Sequence, residues 1–171
     1  TVCFGFETHF VNSSTIASGF IQFHQWDFGD NGSSLSLNPT HTYALAGIDT
    51  VMLTTTSNFG CLDTAIRVVL VNPLPSAAIT ASGPLSFCCG DSVTLSAIAG
   101  LNYVWTPAAT PPNSQSITVK DCAAGGGSYQ VTVTNPATSC SNTSAPPVTV
   151  VIFQLPAAFA GNDTSIFLGN S

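Results

Sequence analysis

Five landmarks occur twice along the 171 residues, in the same order and at nearly the same spacing. Cys88 in SFCCGDSVTL (86–95) lies 85 residues after Cys3 in TVCFGFETHF (1–10), and Gly90 follows Gly5 at the same offset. Trp105 follows Trp26 by 79, and GSYQVTV (127–133) follows GIDTVML (47–53) by 80. Cys140 follows Cys61 by 79, and QLPAAFA (154–160) follows PLPSAAI (73–79) by 81. A period of about 80 residues is long enough for a small domain, so the chain reads as two related domains with a short length difference near the start. The boundary falls in NPLPSA (72–77). Its two prolines make a stiff linker, which favours a rod over a loosely tethered pair. The expected units are residues 1–73, residues 74–153 and the opening of a third at 154–171.

The class of domain follows from the alternation within each unit. THFVN (8–12), TVMLTTT (50–56), SVTLSA (92–97), SITVK (116–120), YQVTVT (129–134) and PVTVVIF (147–153) alternate with period two. Turn residues separate them, and no stretch carries a sustained helical stripe. Short alternating strands at this spacing predict an all-β architecture of two tandem sandwiches.

Charge excludes several roles. Charged residues make up 6% of the chain, against about 25% in an ordinary soluble domain. The only cations are Arg67 and Lys120, which face eight carboxylates. Two cations cannot neutralise a phosphate backbone, so no nucleic-acid partner is expected. Anionic membranes are disfavoured on the same ground, and no apolar run approaches the 18–20 or so residues of a membrane span. The first residue is Thr1, with neither Met nor an apolar leader, so the chain is expected to be processed or part of something longer.

The six cysteines are Cys3, Cys61, Cys88, Cys89, Cys122 and Cys140. They contain no CxxC pair, and adjacent Cys88 and Cys89 are poorly placed to share one zinc. An even count in a Ser/Thr-rich, Lys-poor chain reads as disulfides formed in an oxidising compartment. The repeat makes Cys3–Cys61 and Cys88–Cys140 equivalent pairs, each tying the start of a domain to its last hairpin. Cys89–Cys122 is then left to the second domain. The alternative is that Cys89, rather than Cys88, pairs with Cys140.

A third copy begins at the C-terminus. SIFLGNS (165–171) lies on TVCFGFE (1–7), with Phe167 over Cys3 and Gly169 over Gly5. PAAFAGND (156–163) is then the first strand of another domain, whereas the first domain opens at the segment that should follow such a strand. The expectation is a sandwich missing one strand at the front and a strand to spare at the back. The candidate donor segment is 156–170, with Phe159, Ile166 and Phe167 as its apolar anchors.

The densest local signal is QWDFGDNGSSLSLNPTHTY (25–43). Trp26 and Phe28 share strand parity and can bury their rings against the opposite sheet. Gly29 and Asp30-Asn31-Gly32 supply backbone freedom and side-chain acceptors for a tight turn. Asp27 is expected to accept from turn backbone or a hydroxyl, and His41 and Tyr43 to return to a strand with their polar tips free to bond. Asp27, Asp30 and Asn31 also cluster hard oxygen ligands of the kind calcium takes, but one short loop supplies too few carboxylates for a tight site. The run reads as a shaped turn, with no metal and no cofactor.

WDFGDNG (26–32), NPTHTY (38–43) and GIDTVMLTTTS (47–57) together resemble the PKD domain, an immunoglobulin-like sandwich, over residues 1 to about 73. Residues 76–153 resemble Ig-like surface repeats of the Bacteroidetes type, through FCCGDSVTLSA, NYVWTPA, SITVKDCAAGGGSYQVTVT and SCSNTSAPPVTV. Cys89 and Cys122 both depart from that pattern, which supports pairing them. Asp49 stands where the family usually places Tyr, whereas Tyr129 keeps that residue in the second domain. The resemblance implies a secreted, cell-surface protein. It also brings an O-glycosylation motif, Asp-Ser/Thr-apolar, which DTV, DTA and DSV fit at Thr50, Thr64 and Ser92.

Catalysis is not expected. There is no GxSxG elbow, Glu7 is the sole glutamate, and His9, His24 and His41 sit on strands where a hydrogen-bonded structural histidine is the ordinary state. The resulting expectation is a non-catalytic structural or adhesive repeat of an extracellular surface protein or filament. Its partners would be neighbouring repeats in a longer array, or identical subunits joined head to tail by strand addition in trans. Surface glycans are a further partner class. The competing role is a carbohydrate-binding accessory module of a secreted hydrolase, for which Phe4, Phe6, Phe20 and Phe59 would supply outward-facing rings.

Overall fold

The computed structural model describes residues 2–108, 113–123 and 125–158. It is all-β, and among the described residues no helix is long and apolar enough to cross a membrane. The first sandwich contains β1 (Val2–Cys3), β2 (Glu7–His9), β3 (Ile21–Asp27), β4 (Ser33–Ser34), β5 (Thr40–Thr42), β6 (Gly47–Ser57) and β7 (Leu62–Asn72). Its large sheet runs β1-β7-β6-β3-β4, and β2 pairs with β5 alone in the opposing sheet. The alternation in β6 decides which side faces in. Val51 and Leu53 are buried with Trp26, Phe28, Tyr43 and Val71, while Met52 and Thr54 are only half-buried.

The second sandwich contains β8 (Thr80–Ala81), β9 (Ser86–Cys88), β10 (Val93–Ser96), β11 (Asn102–Thr106), β12 (Ser116–Val119), β13 (Gly126–Thr134), β14 (Ser141–Thr143) and β15 (Val148–Phe153). One sheet runs β11-β13-β15-β9, with β14 also on β13, and the other runs β12-β10-β8. Each sandwich carries a short strand that runs parallel to its last one, β1 along β7 in the first and β9, which follows β8, along β15 in the second. Cys3 lies opposite Asn72 and Cys88 opposite Phe153.

The cysteines do not pair as the repeat suggests. Cys3 bonds Cys140, 137 residues away, and Cys89 bonds Cys122, while Cys61 and Cys88 are exposed free thiols. The expected Cys3–Cys61 and Cys88–Cys140 pairs fail on strand direction. Cys3 sits opposite Asn72 at the C-terminal end of β7 and Cys61 just before its N-terminal end, eleven residue steps away. At about 3.3 Å per residue they are about 36 Å apart. Cys88 and Cys140 are separated in the same way by the length of β13, whose Gly126 end neighbours Val151 and whose Thr134 end leads to Cys140. Disulfide geometry requires Cα atoms within about 7 Å, so neither pair can form inside its sandwich.

Candidate functional site

Two features of the first sandwich bear on function: the turn at 26–43 and a groove beside it. In the turn, backbone and side chains close on one another. Phe28 N–H donates to Gly32 O at 2.9 Å, Gly29 N–H to Asp27 Oδ1 at 2.9 Å, and Gly32 N–H to Asp30 Oδ1 at 3.0 Å. Asn31 is left-handed at φ 70° and Gly29 at φ 88°. Gly29 is required on space as well as angle, since an added Cβ would lie 2.8 Å from Thr50 backbone N and O.

His41 holds the turn to the core. Its ring stacks on Phe28 at 4.1 Å, meets Tyr43 edge-on at 4.8 Å, and its Nε2 lies 2.8 Å from Asp30 Oδ2. Burial raises the Asp30 carboxyl, but the bonds from His41 and Gly32 outweigh it and hold the acid below its ordinary value. Tyr43 O–H donates to Phe28 O at 3.4 Å. Burial, then the charges of Asp49 and Asp30, push its phenol up to about 12. Asp49, at the position where Tyr was expected, thus acts on Tyr43. Burial and Asp121 raise Tyr129 in the second sandwich.

Asp27 and Asp30 are therefore committed to turn N–H groups and to His41, while Asn31 is exposed. Among the described residues no three His, Cys, Asp or Glu side chains converge as metal ligands would. The three histidines are apart in role. His24 Nδ1 meets Asn12 Nδ2 at 3.0 Å, and His9 is solvent-exposed, 3.9 Å from Glu7. Thr50, Thr64 and Ser92 all lie on exposed positions. Phe159, Ile166 and Phe167 lie outside the described residues.

The groove is where the sandwich is thin. About 670 Å³ in volume, it runs between β2 and the inner face of β7, with Val2, Phe10, Trp26, Leu53 and Val69 among its walls. In the second sandwich β8 occupies the corresponding place, pairing with β10 through Ala81–Leu95 and Thr80–Ser96. Trp26 Nε1–H is buried without a hydrogen-bond partner among the described residues, whereas Trp105 Nε1–H donates to Ser114 O at 2.8 Å.

Sequence reasoning also missed an apolar surface. Ile48, Ile66, Val68 and Leu70 are exposed on the outer face of β6 and β7. The signal was available: AIRVVLV (65–71) is apolar on both parities, as strands covered on both faces are. The four phenylalanines expected to face outward do so, Phe4 being the least exposed of them at 37%.

The PKD domain family model matches residues 2–71. Among solved structures, the chain is similar to the PKD1 domain of Vibrio anguillarum Epp, with 32% identity over 40% of this chain and 82% of that one, TM-score 0.39. It is also similar to the PKD1 domain of the Vibrio cholerae metalloprotease PrtV, with 28% identity over 42% of this chain and 99% of that one, TM-score 0.35. Carbohydrate-binding modules from the β-sandwich superfamily share 18% identity over 78% of this chain and 50% of theirs, TM-score 0.43. No curated protein matches the chain.

Proposed function

From a chain whose first sandwich belongs to the PKD family, we infer a non-catalytic structural or adhesive module of an extracellular, surface-attached rod. Its sandwiches are joined head to tail to neighbouring units. The observation that carries this reading is the groove beside Trp26, an apolar slot at the edge of β2 where the second sandwich holds β8. A strand laid there would bond the free edge of β2 and cover Phe10 and Val69, which is β-strand addition. The donor is a neighbouring unit, either an upstream repeat of the same chain or the 156–170 segment of another subunit. Disulfides and a near-uncharged Ser/Thr surface, with Thr50, Thr64 and Ser92 open to glycosylation, fit an oxidising extracellular setting.

The test is the intact mass of the native chain, denatured and reduced, so that no disulfide between copies adds to it. A value near 17.6 kDa makes it a subunit completed in trans, and a much larger one places it in a tandem array. Binding is then measured by adding a peptide of residues 154–171 to the chain and following tryptophan emission. No shift from this peptide overturns strand addition by this segment.

A second reading is carried by Phe20 and Phe59, exposed by 61% and 73% at one tip of the first sandwich, where Asn58 N–H donates to Phe20 O. Two accessible rings at one tip suit a sugar surface. Retention on chitin or another insoluble polysaccharide, lost in a Phe20→Ala/Phe59→Ala variant, would support it. No retention removes it.

A further inference from the structure

The two free thiols are the two halves of a bond that the structure already contains once. The opening cysteines have matching surroundings. Phe4 N–H donates to Asn72 O and Cys89 N–H to Phe153 O, both at 2.9 Å. Phe6 N–H donates to Cys3 O and Asp91 N–H to Cys88 O, both at 3.2 Å. Two residues on, Gly5 and Gly90 are left-handed at φ 75° and 105°.

The hairpin cysteines match as well. Ser57 N–H donates to Cys61 O and Asn135 N–H to Cys140 O, both at 2.9 Å. The residue before each is left-handed, Gly60 at φ 80° and Ser139 at φ 60°. Cys3–Cys140 therefore joins the opening cysteine of one sandwich to the hairpin cysteine of the next, with Cα atoms 5.6 Å apart. One more application of that relation leaves Cys88 as an opening cysteine and Cys61 as a hairpin cysteine, each exposed and each without its counterpart.

We propose that Cys88 of one copy forms a disulfide with Cys61 of a second copy, so that every joint of the rod is stapled as the Cys3–Cys140 joint is. The proposal rests on the head-to-tail reading above and specifies the chemistry of the joint. The direction agrees with strand addition, because the segment after Phe153 would enter the first sandwich of the same copy that offers Cys61. Donor and acceptor sulfurs differ, so the contact is heterologous and extends into an open chain rather than closing as a dimer. Cys61 and Cys88 each lie at least a strand's length from the Cys3–Cys140 joint, no less than about 33 Å and about 26 Å, at the far end of their own sandwich. The two thiols lose two protons and two electrons to a disulfide oxidant such as oxidised glutathione, which is reduced to two thiols.

The full chain, concentrated with oxidised glutathione, is analysed without reduction and mapped by mass spectrometry. We expect a ladder at integer multiples of 17.6 kDa whose linking peptides join Cys61 to Cys88. C61S and C88S each remain monomeric, and a 1:1 mixture of the two yields dimer and nothing longer. Dimerisation of either variant alone to the extent of the mixture overturns the proposal. Linking peptides that join Cys61 to Cys61 or to Cys3, or a wild-type chain that stays monomeric, do the same. Should a variant fail to fold, capping the two exposed thiols of the native wild type with iodoacetamide replaces it, and must abolish the ladder. Light scattering by the C61S/C88S double variant reads assembly without this bond. If that variant assembles while the wild type gives no Cys61–Cys88 peptide, the staple is wrong and the head-to-tail reading stands.

Discussion

Among the described residues the second sandwich has a strand, β8, with no counterpart in the first, and the difference reaches into both cores. In the second, β8 completes a three-stranded sheet and the segment leading to it buries Ala77 and packs Ile79 against a continuous cluster. In the first, β2 and β5 stand alone, the buried cluster is half as numerous, and Phe10 and Val69 reach it only as partly buried neighbours. The two tryptophans record the contrast. Trp105 is enclosed and hydrogen-bonded, whereas Trp26 borders an open groove and its N–H has no partner among the described residues. Two sandwiches can therefore share their landmarks and still differ in how completely their cores are covered.

The sharpest way to break the contrast is to truncate both tryptophans. Trp105→Ala leaves a cavity and strands Ser114 O, so it should cost at least about 4 kcal/mol. Trp26→Ala removes a ring that already borders empty space and gives up no hydrogen bond, so about 2–3 kcal/mol is expected. Urea unfolding of each variant, followed by circular dichroism, compares them. Equal losses would mean that the groove is not a packing defect. If strand addition holds, the donor peptide should stabilise the wild-type first sandwich and do less for Trp26→Ala.

Glycines give the next contrast. Gly29→Ala places a methyl 2.8 Å from Thr50 backbone at φ 88°, where neither partner can yield. Gly90 has a similar angle, φ 105°, but nothing within 4 Å of an added Cβ. The first change should cost about 2–3 kcal/mol and the second about 1 kcal/mol, from backbone strain alone. Thermal melts separate the two, and a cost at Gly90 matching that at Gly29 would show that strain outweighs contact.

How far the sequence could carry these conclusions varies with the kind of information each needs. Alternation and the 80-residue repeat suffice for the class of fold, because period-two patterning and turn residues act locally. The burial of Trp26 and Phe28 and the turn bonds of Asp27 were legible for the same reason. The cysteine partners were not. A repeat makes Cys3 equivalent to Cys88 and Cys61 to Cys140, and that equivalence holds whether the bonds lie within domains or between them. Only strand direction decides, by putting Cys3 and Cys61 at opposite ends of β7. The Asp30–His41 contact was hidden for a related reason. Eleven residues separate them, and their meeting depends on the path of the loop between.

That contact supplies the third contrast. Both salt bridges found among the described residues lie in the first sandwich, and Asp30–His41 is the less exposed of the two. The Asp30 carboxyl is held below its ordinary value of 3.8, so folding favours its ionised form. The stabilisation is fully present above about pH 4 and is lost as pH falls through the folded value. Acid should therefore unfold the first sandwich before the second. Asp30→Asn should cost about 1–2 kcal/mol at neutral pH and flatten the acid limb of the first transition. An unchanged acid limb in that variant would assign the loss to other carboxylates.

Tyr43 gives the smallest effect and the opposite pH dependence. Its phenol is pushed up to about 12, first by burial and then by Asp49 and Asp30, so folding favours the protonated form. Its contribution is complete below pH 10, the ordinary value, and drains away as pH rises from there towards 12. Tyr43→Phe keeps the ring against His41 and removes only the O–H, whose bond to Phe28 O is long at 3.4 Å. At neutral pH the change should cost less than about 1 kcal/mol, because a bond that long contributes little. Above pH 10 the order should reverse, the variant becoming the more stable of the two because it has no phenol to ionise. Melting temperatures measured from pH 7 to 11.5 would locate the crossing. If the curves run parallel, the Tyr43 hydroxyl is solvated, and the first sandwich is more open than the groove alone makes it.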